Sequence, residues 1–85
     1  MRITFSSHAW GDYTTWLKED RKMLVKINQL IKDIQRTPYD GIGKPEALKY
    51  DLVGYWSRRI DREHRLVYKV ENDTVIIISC KYHYD

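Results

Sequence analysis

The hydrophobic positions in the first part of the chain predict a short strand followed by a helix. Ile3 and Phe5 alternate with polar residues over residues 2–5, which is the period of a strand. Ser6 or Ser7 is a suitable N-cap for the helix that follows. The next apolar positions recur at steps of three and four residues, so we expect them on one helical stripe that faces the core: Trp10, Tyr13, Trp16 and Leu17.

A second helix is predicted after Asp20, which is a candidate N-cap. Its apolar positions follow the 3.6-residue period of an amphipathic helix: Met23, Leu24, Ile27, Leu30, Ile31 and Ile34. The opposite face is polar and is expected to face solvent: Lys22, Lys26, Lys32 and Asp33. Thr37-Pro38 ends the helix, because the residue before a proline disfavours helical backbone angles.

The second half of the chain is predicted to form three strands. Residues 38–45 contain two glycines and two prolines and are expected to form a loop that leads to Glu46. The predicted strands are 55–60, 65–70 and 74–83, with turns short enough for an antiparallel meander. The order β-α-α-β-β-β predicts one α+β domain over residues 1–85, with two N-terminal helices on one face of a mainly antiparallel sheet.

The charge composition is only mildly basic and does not by itself establish a polyanionic binding partner. The 85 residues include 15 Lys plus Arg and 12 Asp plus Glu, for a net charge of +3. Seven of the basic residues lie between Lys44 and Lys69, and five of these lie on or beside predicted strands. One face of the sheet could therefore concentrate positive charge and attract phosphate, although an ordinary solvated surface is the alternative.

Several classes of protein are disfavoured. Cys80 is the single cysteine, so no internal disulfide forms, and its apolar surroundings place it in the core. No His or Cys cluster has metal-ligand spacing, and we expect neither a metal nor another cofactor. No apolar run approaches the roughly 20 residues of a membrane span. The N-terminus lacks the apolar region of a signal peptide, so a reducing cytoplasm is the expected location.

Candidate chemistry follows from what metal-independent RNA cleavage requires. A base must accept the 2′-hydroxyl proton, an acid must protonate the departing 5′-oxygen, and a cation must stabilise the phosphorane. Glu46 lies between Lys44 and Lys49, which favour its charged form, and is a plausible base. His83 is the natural acid, because histidine exchanges protons near neutral pH.

Arginines in the predicted strands are candidate phosphate ligands, because guanidinium presents a planar fork of donors. Strand alternation places Arg58 and Arg59 on opposite faces. Arg58 shares its face with Trp56 and Ile60, so that face is predicted to lie under the helices. Arg59 is left for the open side, and Arg65, at the start of the next strand, could lie close by.

The remaining candidates have open interpretations. Tyr84 could stack on a base or orient a phosphate, but the aromatic end of the last strand could also merely pack. His8 is expected on the surface in the first helix. His64, in the turn before Arg65, is expected to bond a nearby backbone group. The residues alone support a small α+β domain with possible RNA binding.

Four separated segments resemble the YoeB toxins of bacteria, which belong to the RelE/ParE-like superfamily. They read GKPE with LK at 43–49, GYWSRRI at 54–60, EHRLVY at 63–68 and CKYHY at 80–84. The resemblance covers essentially the whole chain and implies a fold similar to small microbial ribonucleases. It implies an endoribonuclease that cleaves messenger RNA in the A site of the translating ribosome. It also implies a YefM-type antitoxin, contact with operator DNA only through the antitoxin complex, and a possible homodimer.

The resemblance also assigns roles to residues. The catalytic glutamate falls on Glu46, the transition-state arginine on Arg65 and the histidine acid on His83. The other matched positions are the terminal aromatic Tyr84 and the RNA-binding residues Lys49 and Arg59.

Two positions depart from the family pattern. Asp85 follows the His-Tyr pair with which such chains typically end, and Ala47 stands where proline is frequent. Two other functions compete with the nuclease: a non-catalytic ParE-like inhibitor that binds another protein, and a plain RNA-binding module.

Overall fold

Two helices cover one face of a five-stranded sheet in the computed structural model, which describes residues 1–82. The elements in chain order are β1 (Arg2–Phe5), α1 (Ser7–Glu19), α2 (Arg21–Arg36), β2 (Glu46–Ala47), β3 (Trp56–Arg59), β4 (Arg65–Glu71) and β5 (Thr74–Ser79). A short 3-10 turn, Tyr50–Leu52, lies between β2 and β3. The predicted acid His83 and the aromatic Tyr84 lie outside the described residues, as does Asp85.

The sheet has the strand order β1-β5-β4-β3-β2. The pairs β2–β3, β3–β4 and β4–β5 are antiparallel, whereas β1 pairs with β5 in parallel, so the predicted mainly antiparallel sheet is confirmed. Strand β2 was not predicted, because two residues are too few to show alternation. Glu46 therefore lies in an edge strand rather than in the expected loop.

The last strand ends at Ser79 and not at residue 83 as predicted. The strand ends there because side chains of helix α1 form hydrogen bonds with the backbone amide and carbonyl of the next residue. The Cys80 amide donates to Asp12 Oδ2 at 2.9 Å, and the Cys80 carbonyl accepts from Trp16 Nε1 at 2.8 Å. The backbone of Cys80 is thus bonded to side chains and no longer continues the ladder.

The predicted helix boundaries are confirmed by their caps. Ser6 Oγ accepts the Ala9 amide at 3.0 Å, and Asp20 Oδ1 accepts the Lys22 amide at 3.0 Å. Helix α2 stops at Thr37, whose amide donates to the Asp33 carbonyl at 2.8 Å, directly before the proline. Caps of this kind satisfy amides that a helix leaves without partners at its first turn.

The core lies between the helices and the sheet, and its buried apolar members are Ala9, Trp16, Met23, Ile27, Leu30, Ile31, Ile34, Ile60, Leu66, Tyr68, Val75, Ile77 and Cys80. The predicted apolar face of α2 is confirmed, but the stripe on α1 is only partly right. Trp16 is buried, whereas Trp10 and Leu17 are 55% and 44% exposed. Ala9 and Trp16, two helical turns apart, mark the side that faces the sheet, and Trp10 instead stacks on Tyr13 at the rim.

Asp33 was predicted on the solvent face of α2, and this prediction is wrong. Its carboxylate is buried, and it accepts a hydrogen bond from Arg58 Nη1 and another from the Ile42 amide at 3.0 Å. A buried charge is stable only with such partners. Among residues 1–82, no helix is both long enough and apolar enough to cross a membrane.

Candidate functional site

A cleft of about 140 Å³ opens on the face of the sheet that the helices leave uncovered. Three strands and the residues on either side of β2 contribute its lining: Lys44, Glu46, Leu48, Ser57, Arg59, Arg65 and Val67. Leu66 and Tyr68, which alternate with the β4 members of this set, are buried in the core on the other side.

The register of the strands explains why these side chains meet. Glu46 is paired with Ser57, and Ser57 is paired with Val67, so these three residues form a row across β2, β3 and β4. Arg59 is paired with Arg65, one row further along the same face. Directly opposed residues of an antiparallel pair share a face. The structure thus brings together three of the predicted site residues: one carboxylate and two guanidinium groups.

The cleft concentrates positive charge. Two like charges directly opposite each other in a sheet repel, which leaves Arg59 and Arg65 suited to an anion placed between them. Within residues 1–82, neither arginine forms a salt bridge with a carboxylate. Arg65 Nη1 is instead fixed by the backbone carbonyls of Asp61 at 3.2 Å and His64 at 3.3 Å. Among the residues that the structure describes, its other guanidinium nitrogens form no hydrogen bond and could donate to a phosphate.

The backbone before β2 is held against β3 by a close approach at Gly43. The Arg59 amide donates to the Gly43 carbonyl at 2.7 Å, and the Leu48 amide donates to the Tyr55 carbonyl at 2.9 Å. Gly43 has φ of +79°, and a Cβ at this position would lie 2.7 Å from the Leu30 side chain. The positive φ favours glycine, and a Cβ would also lie 3.1 Å from the Arg59 carbonyl oxygen, so Gly43 helps to set the path of the chain into Glu46.

Arg58 is confirmed on the helix-covered face and takes no part in the cleft. It is fully buried, and its Nη2 donates to the carbonyls of Thr37 at 2.7 Å and Asp40 at 2.9 Å. Its Nε donates to the Tyr68 hydroxyl, which in turn donates to the Pro38 carbonyl at 2.6 Å. Burial raises the pKa of the Tyr68 phenol, so this hydroxyl stays protonated and able to donate. The network holds the loop that leads to β2.

The other predicted residues lie elsewhere. Lys49 is exposed and directly precedes the 3-10 turn, but it does not line the cleft. His8 is on the surface as expected, 3.5 Å from the Asp12 carboxylate. His64 is buried, and its Nδ1 accepts the Tyr82 amide at 2.7 Å, which confirms the expected bond to backbone.

Several cleft residues were not proposed for the site from the sequence: Lys44, Leu48, Ser57 and Val67. Alternation was the available signal, because Ser57 and Val67 lie two positions from Arg59 and Arg65 respectively. Within residues 1–82, no three His, Cys, Asp or Glu side chains come together in a way that could hold a metal ion.

The sequence matches a family described as the YoeB-like toxin of bacterial type II toxin-antitoxin systems, over residues 5–84. A curated relative, Toxin YoeB of Streptomyces coelicolor, is 60% identical over 84 residues, which are 99% of this chain and 100% of that protein. The resemblance found in the four segments is confirmed by these matches.

Solved structures agree with the sequence matches. The YoeB/ParE toxin from Agrobacterium tumefaciens gives a TM-score of 0.96 at 46% identity, covering 99% of this chain and 100% of that chain. Staphylococcus aureus YoeB has been solved as a dimer, with a TM-score of 0.93 at 54% identity over 99% of this chain and 98% of that chain. It has also been solved in a heterotetrameric complex with YefM, with a TM-score of 0.91, 54% identity and the same coverage.

A more distant likeness concerns the fold alone. A chain of the RelBE2 toxin-antitoxin complex from Mycobacterium tuberculosis gives a TM-score of 0.71 at 22% identity, covering 96% of each chain. The predicted RelE-like fold is therefore confirmed.

Proposed function

The chain belongs to the family of YoeB-like toxins of bacterial type II toxin-antitoxin systems, and we propose that it acts as a ribosome-dependent endoribonuclease. Its substrate would be messenger RNA in the A site of the translating ribosome. Cleavage would stop translation, which accounts for the toxicity of a protein this small.

One observation carries the proposal: Glu46, Arg59 and Arg65 line the same cleft, on the open face of the sheet. A module that only binds protein or RNA has no need of a carboxylate beside two guanidinium groups that already suit a phosphate. The carboxylate is what a proton abstraction requires, and its position next to the cations is what a phosphoryl reaction requires.

The reaction divides between the groups as follows. Glu46 accepts the proton of the 2′-hydroxyl, and the 2′-oxygen attacks the adjacent phosphorus. Arg65 stabilises the extra negative charge of the phosphorane, and Arg59 binds the phosphate without taking part in the chemical step. His83 donates a proton to the 5′-oxygen as the phosphorus–oxygen bond breaks. The products are a 2′,3′-cyclic phosphate and a free 5′-hydroxyl, and no metal or other cofactor enters the scheme.

Two further assignments belong to the same proposal. Tyr84 stacks on a base or orients the phosphate, next to the acid at His83. Lys49, exposed at the entrance to the 3-10 turn, contacts RNA as a supporting cation and takes no part in bond making or breaking.

The proposed partners are the bacterial ribosome with its messenger RNA and a YefM-type antitoxin, whose C-terminal segment would cover the cleft. The S. aureus complex of YoeB with YefM supports the second partner, and the S. aureus dimer supports a homodimer. Operator DNA would be reached only through the antitoxin complex. The expected setting is the cytoplasm, where ribosomes are present.

The decisive experiment compares the unaltered chain with His83→Gln and Glu46→Gln in a reconstituted translation reaction. Primer extension locates the new 5′ ends on the message, and circular dichroism confirms that each variant is folded. We expect cuts at A-site codons from the unaltered chain and a loss of roughly 100-fold or more from each variant. Full cleavage by a variant contradicts the catalytic role proposed for the residue that it replaces.

The competing functions give different patterns in the same reaction. A ParE-like inhibitor or a plain RNA-binding module would leave no new 5′ ends, even with the unaltered chain. An RNA-binding module alone would still retain labelled message on a filter.

A further inference from the structure

The segment just before the end of the described chain is held by side chains of helix α1. The Cys80 amide donates to Asp12 Oδ2 at 2.9 Å, and Trp16 Nε1 donates to the Cys80 carbonyl at 2.8 Å. Lys81 Nζ bonds Glu19 Oε2 at 2.7 Å and lies 5.0 Å from the centre of the Trp16 ring. These contacts fix residues 80 and 81, although β5 has already ended.

The next residue, Tyr82, is fixed from the other side by the turn that precedes β4. His64 Nδ1 accepts the Tyr82 amide at 2.7 Å, and the Arg65 amide donates to the Tyr82 carbonyl at 2.8 Å. Both polar groups of this residue's backbone are therefore paired. Tyr82 has φ of +62°, an angle that a non-glycine residue adopts rarely and that needs such support.

His64 is itself rigidly placed. Its side chain is buried, its ring meets Trp16 edge-on with centroids 4.7 Å apart, and its amide donates to Asp61 Oδ1 at 2.7 Å. Because Nδ1 accepts a hydrogen bond, the ring proton resides on Nε2, which lies 3.6 Å from Glu63 Oε1. The lone pair of Nδ1 is therefore held in place to accept the Tyr82 amide.

We propose that His64 is a positioning residue of the reaction, which sets the direction in which the chain leaves Tyr82. His83 follows Tyr82 directly, and Arg65 follows His64 directly. The two bonds between these neighbours therefore tie the backbone that carries the acid to the backbone that carries the phosphate-binding arginine. The inference rests on the proposed function, because it assigns His64 a task only if His83 acts as the acid.

The test uses two substitutions of His64 in the full chain. His64→Asn keeps an acceptor close to the place of Nδ1, whereas His64→Leu fills a similar volume without one. His64→Phe, which keeps a ring against Trp16, replaces the leucine variant if that variant does not fold. Gln29→Leu introduces the same leucine at an exposed position on α2 that does not line the cleft, and it serves as the control.

Two readouts are measured for each variant. Hydrogen exchange of the Tyr82 amide, followed by NMR, reports the hydrogen bond without reference to activity. The cleavage rate at saturating ribosomes and the concentration for half-saturation separate chemistry from binding. Misplacing a catalytic group by about 1 Å costs on the order of 100-fold in rate.

In the His64→Leu variant, we expect the Tyr82 amide to exchange at least about tenfold faster than in the unaltered chain. We also expect its cleavage rate at saturating ribosomes to fall about 100-fold, with little change in the ribosome concentration for half-saturation. We expect His64→Asn to restore most of the slow exchange and most of the cleavage rate, and Gln29→Leu to match the unaltered chain. Equal cleavage by the leucine and unaltered chains overturns the proposal, as does a folded asparagine variant no more active than the leucine variant. Absence of cleavage by the unaltered chain overturns instead the proposed function, while the Tyr82 exchange still reports the bond.

Discussion

Arg58 and Asp33 form a buried ion pair that joins strand β3 to the last turns of helix α2. The exposed fractions of the two side chains are 0% and 6%. The same guanidinium donates to the carbonyls of Thr37, Asp40 and Ile42, so the pair also holds the loop that leads to β2. A buried pair of this kind need not stabilise the fold more than apolar residues would, but it is costly to break.

The substitution Asp33→Asn is expected to destabilise the protein by roughly 3–5 kcal/mol, because it leaves the Arg58 charge buried without its counterion. Urea unfolding followed by circular dichroism measures the change. The control is Asp51→Asn in the exposed 3-10 turn, which should stay within about 0.5 kcal/mol of the unaltered chain. Similar losses from the two variants would contradict the role of the pair.

The ion pair also predicts a pH dependence of stability. Hydrogen bonds from Arg58 and from the Ile42 amide hold the pKa of Asp33 below its ordinary value, despite an opposing effect of burial. Its contribution is therefore fully present above the unfolded pKa, about 3.9 for aspartate, and is lost as pH falls through the lower folded pKa. The difference in unfolding free energy between the unaltered chain and Asp33→Asn should shrink below about pH 4.

A shifted pKa of Asp61 also affects how the unfolding free energy of each chain depends on pH, but it does not affect the difference between the two chains. Burial raises this pKa, but hydrogen bonds from the His64 and Glu63 amides outweigh that effect and lower it. Because Asp61 is present in both chains, its contribution cancels. A constant difference from pH 7 to pH 3 would contradict the prediction.

Two glycines should respond to alanine in opposite directions. Gly41 has φ of +122°, and a Cβ there would overlap the Asp33 carboxylate, so Gly41→Ala is expected to destabilise by about 2 kcal/mol or more. Gly11 lies within α1 with nothing near its added Cβ, so Gly11→Ala should stabilise by roughly 0.5–1 kcal/mol. Thermal unfolding of the two variants compares them directly, and destabilisation by both would show that the added methyl is harmful for another reason.

Arg59 is expected to act mainly in binding under the proposed function. Arg59→Ala should raise the ribosome concentration for half-maximal cleavage by about tenfold, the worth of one charged hydrogen bond, and change the saturated rate less. Arg62→Ala is the matched control, because it removes the same charge from an exposed position outside the cleft. Equal effects of the two substitutions would indicate a general loss of charge rather than a phosphate contact.

Cys80 is expected to resist alkylation in the native protein. Burial, with a smaller effect of the Asp12 charge, raises the pKa of its thiol to about 12. Almost no thiolate, the reactive form, is present at neutral pH. Mass spectrometry after iodoacetamide treatment should find the native chain unmodified and the urea-unfolded chain modified. Rapid modification at neutral pH without urea would show that the strand end opens readily.

The sequence was sufficient for most of the fold because its signals are local. Helix periods, the caps Ser6 and Asp20 and the stop at Thr37 all depend on neighbouring residues. Strand β2 could not be predicted in the same way, because its two residues form a strand only by pairing with β3. Asp33 was misplaced for a similar reason, since its partner Arg58 lies 25 positions away and only the fold brings them together.

The candidate site shows the same division between local signals, which could be predicted, and long-range pairing, which could not. Alternation was enough to separate Arg59 from Arg58. Glu46 and Arg65 were candidates from the residues alone, and the family resemblance then assigned their roles. Their convergence depends on which residues face each other across β2, β3 and β4, and no single segment encodes that register. The hydrogen bond from the Tyr82 amide to His64 could not be predicted from the sequence, because it links two irregular segments.

The neighbouring arginines of β3 have a consequence for the length of this strand. Arg58 completes the core and Arg59 serves the cleft, and one peptide separates the two tasks. A single-residue insertion or deletion between Gly54 and the arginines would move each side chain to the other face of the sheet if β3 slipped in register with it. Arg58 would then face the cleft, and Arg59 would face the buried Asp33 carboxylate. The length of this strand is therefore constrained both by the packing of Arg58 in the core and by the position of Arg59 in the cleft.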